Sequence, residues 1–296
     1  MFRTLGTVDL TMNYPDFIII GAAKSGTTML TSWLRDREDV FVPEFDELNF
    51  WAYDEHSPGK LRWGNSPERD WPVTSANKYA EMFDNAPKNC ATGECSVVYL
   101  ESAFAAERIY SANPDTRLIV LLRDPVQRAI SGYWMAHRNG WTNDTLGTAF
   151  SPENDRVKVG EYDTLLKPYL KLFPRNRLLV LDYSRLKTEP EKVQKEVCDH
   201  LSLDSTIVSS FRTVNQGGAP RWQRLYDLSR NKTLIKLGRN FQYSPIHKAV
   251  RSLRSKTLVQ NKDIPMEEIN QLRDHYRPHV ENLESLLKMP FPTWLE

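Results

Sequence analysis

The sequence predicts an α/β fold of three layers, in which a central parallel β-sheet lies between two layers of helices. Two observations support this prediction. Short runs of branched apolar residues, typical of strands buried on both faces, alternate with longer segments whose apolar residues recur at helical spacing. In addition, the first apolar run leads through a glycine-containing turn into a helical segment, which predicts a P-loop-like phosphate-binding turn at the carboxyl end of a strand.

Three strand–helix units can be assigned in chain order. The first strand, at 16–21, precedes a helix with apolar residues at helical spacing. The second strand, at 117–122, leads into a helix that Asp124 can cap and that Pro125 suits as a first residue. The third strand, at 178–182, lies between two helical segments, and a long helix closes the chain. The predicted helices are 27–36, the segment from 125 onward, 161–173, 190–203 and 266–289.

Length and composition indicate one globular domain over residues 1–296. The chain has 40% hydrophobic and 26% charged residues, close to the average for globular proteins, and no linker that divides it. No run of about 18 apolar residues exists, so we expect no membrane span. The N-terminus lacks the apolar region of a signal peptide, which favours the cytoplasm. Three cysteines are too few for a disulfide scaffold, and their spacing matches no zinc site.

The net charge of +1 conceals a strongly basic segment at about 221–262. This segment holds 11 Lys and Arg residues and one acid, Asp227, so it carries +10 and the rest of the chain −9. Such a stretch indicates an anionic partner, or otherwise a solvated pair of basic helices. No recognised nucleic-acid-binding motif accompanies the charge, so we expect no nucleic-acid partner.

Two positively charged positions follow the first two predicted strands. Gly21 and Gly26 have the spacing of a P-loop, but Thr27 stands where ATPases and GTPases carry a lysine, and Lys24 lies inside the loop instead. The second strand ends in Arg123, whose fork suits a phosphate and cannot hold a cation. These features predict two anion pockets, no metal, and a nucleotide with phosphates at both ends of its ribose. Taken singly, each could be an ordinary turn or a local ion pair.

The residues around these positions resemble the PAPS (3′-phosphoadenosine-5′-phosphosulfate) dependent sulfotransferases, most closely the bacterial and heparan-sulfate-type branch. FIIIGAAKSGTT is similar to that family's 5′-phosphosulfate loop, and RLIVLLRDPVQRAISGYW to its 3′-phosphate motif. Weaker similarities, at PEFDELNFW, at 160–190 and at the C-terminal segment, follow in the family's order. The resemblance implies a single sulfotransferase domain that uses PAPS, releases 3′-phosphoadenosine-5′-phosphate (PAP) and requires no metal.

The resemblance also implies roles for individual residues. Lys24 would stabilise the leaving group, and Glu47 would be the general base, with its neighbour Asp46 as the alternative. The remaining positions would bind the nucleotide: Ser25, Gly26, Thr27 and Thr28 at the 5′-phosphate, Arg123 and Ser131 at the 3′-phosphate, and Gly217, Gly218 and Arg221 in a loop that closes over it.

The acceptor is the least defined part of the prediction. Cys95 stands where the heparan-sulfate branch has an active-site lysine, which weakens any claim of a polysaccharide substrate. We expect a small molecule, such as a natural product, to be sulfated on a hydroxyl or on an amine or amide nitrogen. Alternatively, the basic segment is a mobile cap over the acceptor site, and the acceptor is anionic or tethered to a carrier. His56 and His137 could approach the acceptor, while Tyr99 and Trp134 fit the core or the pocket wall better.

Two other functions remain open from the sequence. The first is an ATP-dependent kinase on a degenerate P-loop, against which Thr27 and Arg123 argue. The second is a nucleotide-binding protein of the same fold without catalytic activity. The oligomeric state is not predicted.

Overall fold

The computed structural model describes residues 14–45, 47–53, 73–139, 141–205, 211, 219–220, 258–259 and 263–296. The strands are β1 (Phe17–Gly21), β2 (Val40–Phe41), β3 (Ala91–Cys95), β4 (Arg117–Leu122), β5 (Leu178–Asp182), β6 (Ala219–Pro220) and β7 (Leu258–Val259). The helices are α1 (Thr27–Arg35), α2 (Ala76–Glu81), α3 (Ala105–Ala112), α4 (Pro125–Asn139), α5 (Leu146–Ala149), α6 (Asp155–Lys158), α7 (Tyr162–Leu172), α8 (Arg185–Thr188), α9 (Pro190–Leu201) and α10 (Met266–Leu287). Short 3₁₀ helices occupy Phe50–Ala52, Val97–Glu101 and Arg175–Arg177.

The first five strands form one parallel sheet in the order β2-β3-β1-β4-β5. Phe17 of β1 is in register with Gly93 on one side and with Arg117 on the other. From β1 the chain crosses to one edge of the sheet, and from β4 it crosses to the other edge. The crevice between the carboxyl ends of β1 and β4 is therefore the topological switch point, where open α/β sheets bind their ligands.

Both faces of the sheet are covered by apolar side chains. Alternate residues point in opposite directions, so Ile18 and Ile20 of β1 pack beneath α3, α7 and α10, while Phe17 and Ile19 pack against α1 and α9. The predicted three-layer α/β/α fold is confirmed. It also explains why the central strands are continuous apolar runs, because neither face is exposed to water.

Most of the predicted elements are present, and one central strand was not predicted. The expected cap of α4 is confirmed, since Asp124 Oδ1 accepts a hydrogen bond from Gln127 N at 2.8 Å. The segment 91–95, with the sequence ATGEC, forms β3 beside β1. Because this segment contains a glycine and a charged residue, its sequence does not show the apolar pattern that predicts a buried strand. At Gly93, a Cβ atom would lie 2.1 Å from the ring of Phe17, so the close packing of the two strands requires glycine.

The ends of the predicted basic segment are joined by a second, small sheet. Ala219 pairs with Val259 and Pro220 with Leu258, in an antiparallel arrangement that lies against α4. The structure of residues 221–257 lies outside the described residues. Among the helices that the structure describes, none is long and apolar enough to cross a membrane.

Candidate active site

The loop between β1 and α1 has the backbone of an anion-binding turn. Lys24 and Gly26 both have positive φ angles, 70° and 87°. The first hydrogen bonds of α1 are those of Met29 N and Leu30 N to Gly26 O, at 3.0 and 3.2 Å. The N–H groups before them therefore have no partner inside the helix, and the N-cap residue, Gly26, has no side chain to cap them. A helix start of this kind binds phosphate well, because its dipole and its N–H groups both favour negative charge.

Gly26 is required by its surroundings as well as by its backbone angle. A Cβ atom there would lie 2.7 Å from Cδ2 of Tyr183 and 3.0 Å from Leu186. Ser25 is fully buried and Thr27 nearly so, whereas Thr28 is exposed. The structure therefore places the predicted 5′-phosphate residues together in one turn, with Thr28 on its solvent side.

Arg123 lies beside this loop at the end of β4. Its Nη1 donates a hydrogen bond to the Lys24 carbonyl oxygen at 3.2 Å, and its guanidinium lies 5.0 Å from the centroid of the Tyr183 ring. Burial lowers the pKa of Arg123 from its ordinary value, yet an arginine remains charged at neutral pH. The structure thus brings Arg123 and the Lys24 loop together at the switch point. Tyr183 lies next to both, near the Arg123 guanidinium and near Gly26.

The backbone around Arg123 is anchored from the other helices. The Tyr162 hydroxyl, from α7, donates to the Arg123 carbonyl oxygen at 3.0 Å. Both oxygens of Asp124 accept backbone N–H groups, Oδ1 from Gln127 and Oδ2 from Leu295 at 2.7 Å. Asp124 is therefore used in holding the N-terminus of α4 and the C-terminal segment. This use weighs against the kinase alternative, in which an acid after a strand holds magnesium.

Glu47 lies in the loop between β2 and the 3₁₀ helix at Phe50–Ala52, half-buried and with a φ of 57°. Two residues on, Asn49 N donates to Ser96 Oγ at 3.0 Å, and Ser96 N donates to Ile19 O of β1 at 3.1 Å. These bonds attach the Glu47 loop to the same edge of the sheet as the anion-binding turn.

A buried carboxylate supports this attachment. Glu94 of β3 accepts hydrogen bonds from three hydroxyl groups, those of Tyr79 at 2.6 Å, Ser96 at 2.7 Å and Tyr99 at 2.8 Å. Trp51 Nε1 donates in turn to the Tyr79 hydroxyl at 2.9 Å. The hydroxyl donors favour the charged form, but burial outweighs them and raises the pKa of Glu94 to about 6. We call these residues, with Asn49, the Glu94 network.

The predicted acceptor residues have different environments. Tyr99 is fully buried, packs in the hydrophobic core and donates a hydrogen bond to Glu94. Trp134 and His137 lie on α4 with ring centroids 5.8 Å apart. Trp134 Nε1 and His137 Nδ1 are buried and have no hydrogen-bond partner in the part of the chain that the structure describes. Ser131 is half-buried on the same helix.

Several predicted positions lie outside the described residues: Asp46, His56, Gly217, Gly218 and Arg221. Conversely, the structure shows three residues at or near the candidate site that were not predicted from the sequence: Tyr183, Tyr162 and Glu94. Tyr183 directly follows the third strand, so the rule that ligands bind at carboxyl ends could have found it. Glu94 gave no such signal, because its partners are distant in sequence.

Comparisons with known proteins identify the family of this chain. Residues 14–216 match the family described as "Sulfotransferase domain". The mouse (Mus musculus) heparan sulfate glucosamine 3-O-sulfotransferase 3B1 is 28% identical over 218 residues, which cover 68% of this chain and 50% of that protein. The bifunctional heparan sulfate N-deacetylase/N-sulfotransferase 1 of Xenopus tropicalis is 26% identical over 309 residues, 95% of this chain and 31% of that protein. This chain thus spans half or less of these two relatives.

A solved structure supports the fold independently. The crystal structure of a sulfotransferase from Alicyclobacillus acidocaldarius aligns with a TM-score of 0.70 at 22% identity, over 96% of this chain and 100% of that one. The match to the family covers more than half of the chain and includes the anion-binding turn, the Glu47 loop and Arg123. We conclude that the chain belongs to the sulfotransferase domain family.

Proposed function

We propose that this protein transfers a sulfuryl group from PAPS to a hydroxyl or a nitrogen of a small-molecule acceptor. The observation that carries the proposal is the contact between Arg123 Nη1 and the Lys24 carbonyl oxygen. It unites a helix-start anion turn with a half-buried arginine at the switch point of the sheet. This pair suits a ligand with two separate anionic groups, as in a nucleotide that carries both a 5′-phosphosulfate and a 3′-phosphate.

We assign the following roles in PAPS binding and sulfuryl transfer to residues of the chain. The N–H groups at the start of α1 would hold the 5′-phosphate, and Arg123 with Ser131 would hold the 3′-phosphate. Bound PAPS supplies an activated sulfuryl group. Lys24 would stabilise the charge that develops on the leaving phosphate, and Glu47 would take the proton of the acceptor. In-line sulfuryl transfer depends on positioning and charge stabilisation, and a sulfuryl group carries less charge than a phosphoryl group, so a lysine can act where a kinase uses magnesium.

We propose that the acceptor binds near α4. Two observations support this proposal. Trp134 and His137 on that helix have buried polar atoms without a hydrogen-bond partner among the described residues. In addition, β6, which pairs with β7, contacts α4. Buried polar atoms are normally hydrogen-bonded, so unpartnered ones indicate groups able to bind a ligand. The basic segment would then act as a cap that attracts an anionic cofactor or acceptor.

The first test is binding of PAP without metal. PAP should stabilise the protein against heat more than ATP with magnesium does. Arg123→Ala should weaken PAP binding about 10- to 150-fold, because a charge-assisted phosphate contact contributes about 1.5–3 kcal/mol. Arg177→Ala is the matched control: Arg177 pairs with Asp115 before the start of β5, so the variant should bind PAP normally. Stronger stabilisation by ATP with magnesium would instead support a kinase.

The second step measures transfer from PAPS to a panel of small hydroxyl and amine acceptors. Glu47→Gln should lower the rate about 10²- to 10⁴-fold while PAP binding is retained, as expected for a general base. Glu44→Gln changes an exposed acid three residues away and should keep the wild-type rate. PAP binding without transfer to any acceptor, and without an effect of Glu47→Gln, would favour a non-catalytic nucleotide-binding protein.

A further inference from the structure

A cluster of two histidines and a carboxylate lies between α7 and α10. Glu161 directly precedes α7, and His275 and His279 are four residues apart on one face of α10. One possible metal-ligand atom from each residue lies within 4.8 Å of the other two, and all three side chains are half-buried. The cluster belongs to the helical layer and is not part of the anion-binding turn or the Glu47 loop.

The contact between Glu161 and His275 has the spacing of two ligands around one ion. Glu161 Oε1 lies 3.3 Å from His275 Nε2. In a tetrahedral zinc site with bonds of about 2.1 Å, two ligand atoms are about 3.4 Å apart. Nε2 is buried, and among the described residues it makes no hydrogen bond of acceptable geometry. A direct ion pair between protonated His275 and Glu161 would bring the two atoms this close, and so would a metal ion bound by both.

A second carboxylate orients His279. Its Nδ1 lies 2.8 Å from Asp163 Oδ1, and only 3% of the Asp163 side chain is exposed. A buried carboxylate that accepts the Nδ1 proton leaves the lone pair on Nε2 for a metal. This carboxylate–histidine–metal arrangement is the usual outer support of protein zinc sites.

We propose that Glu161, His275 and His279 bind a Zn²⁺ ion, with Asp163 as the positioning residue for His279. Two imidazole nitrogens and one carboxylate oxygen form a ligand set that zinc accepts, and the half-buried position leaves a fourth site for water. The widest ligand pair must close from 4.8 Å at most to about 3.4 Å, which side-chain rotations can supply.

The ion would join the C-terminal helix to the helix that supports Arg123. Tyr162, the residue after Glu161, donates its hydroxyl hydrogen bond to the Arg123 carbonyl oxygen. The zinc site would therefore hold α7 and α10 together behind the predicted 3′-phosphate arginine. This proposal is independent of sulfuryl transfer, since it requires only that the full chain binds zinc at these residues.

The test uses the untagged full chain, stripped with a chelator and titrated with zinc chloride against a chromophoric zinc indicator. We expect one zinc ion per chain after desalting, measured by mass spectrometry, and a higher melting temperature with zinc. Glu161→Gln, which keeps the side-chain shape, and the double variant His275→Ala/His279→Ala should each lower the affinity at least 100-fold. Asp163→Asn should lower it about 10- to 100-fold, as expected for a residue that supports a ligand.

His200→Gln is the matched control, because its ring contacts the Leu118 carbonyl oxygen in another part of the molecule. This variant should keep the wild-type zinc affinity. Less than one zinc per chain in the wild type, or wild-type zinc affinity in Glu161→Gln, would overturn the proposal. Should the double variant fail to fold, Glu161→Gln and Asp163→Asn still decide the question. Loss of PAP binding in Arg123→Ala tests the proposed function separately, because that variant should retain its zinc.

Discussion

Replacing Glu94 by glutamine should remove a pH dependence of stability that the buried carboxylate causes. Glu94 is almost completely buried, and three hydroxyl groups donate to it. Burial nevertheless raises its pKa to about 6, from 4.5 in the unfolded chain. The glutamine side chain would keep an acceptor oxygen for the two tyrosines but would never ionise. The substitution thus removes the charge and largely preserves the shape.

The sign and size of the effect follow from proton linkage. Below pH 4.5 the carboxyl group is protonated in both states, and between pH 4.5 and about 6 the folded state binds more protons. The stability that protonation contributes is therefore lost as the pH rises through this window. The pKa difference, from 4.5 to about 6, corresponds to about 2 kcal/mol at about 1.4 kcal/mol per pH unit. Relative to the variant, the wild type should lose this amount of unfolding free energy between pH 4 and pH 7.

The assay is urea denaturation of both proteins at half-unit steps of pH, with the difference in unfolding free energy plotted against pH. Tyr99→Phe is the informative companion, because it removes one donor to the carboxylate and should move the midpoint of the curve to higher pH. Parallel curves for the wild type and Glu94→Gln would refute the reasoning, since they would mean that the folded-state pKa of Glu94 is ordinary. An unchanged midpoint in Tyr99→Phe would show that its hydroxyl does not stabilise the charge.

Two further predictions concern the proposed nucleotide and acceptor sites. Gly26→Ala should destabilise the protein by about 1–3 kcal/mol, because the φ of Gly26 is 87° and a Cβ atom there would lie 2.7 Å from Tyr183. The variant should also bind PAP more weakly in a titration. Wild-type PAP affinity would contradict the role of this turn. Replacing Arg251, Arg254 and Lys256 together by Ala should raise the acceptor KM and leave PAP affinity unchanged, and unaltered kinetics would exclude the cap.

The parts of the molecule that the sequence predicted correctly are those with local causes. The strands at Phe17–Gly21, Arg117–Leu122 and Leu178–Asp182 are apolar because both of their faces are covered. The cap at Asp124 and the positive-φ turn at Gly26 depend on neighbours within a few residues. Parallel strands bring their carboxyl ends to one edge, so the meeting of the anion turn with Arg123 could also be expected.

The parts that escaped prediction depend on residues far apart in the chain. Glu94 would be an improbable strand residue alone, since an unpaired buried carboxylate is costly; it is tolerated because Tyr79 and Tyr99 come from separate segments to donate to it. The alternation of the strand that buries Glu94 on one face turns Cys95 toward the opposite face, where it packs with α1 and α9. No local pattern in ATGEC predicts that Glu94 is buried or that Cys95 faces the other layer.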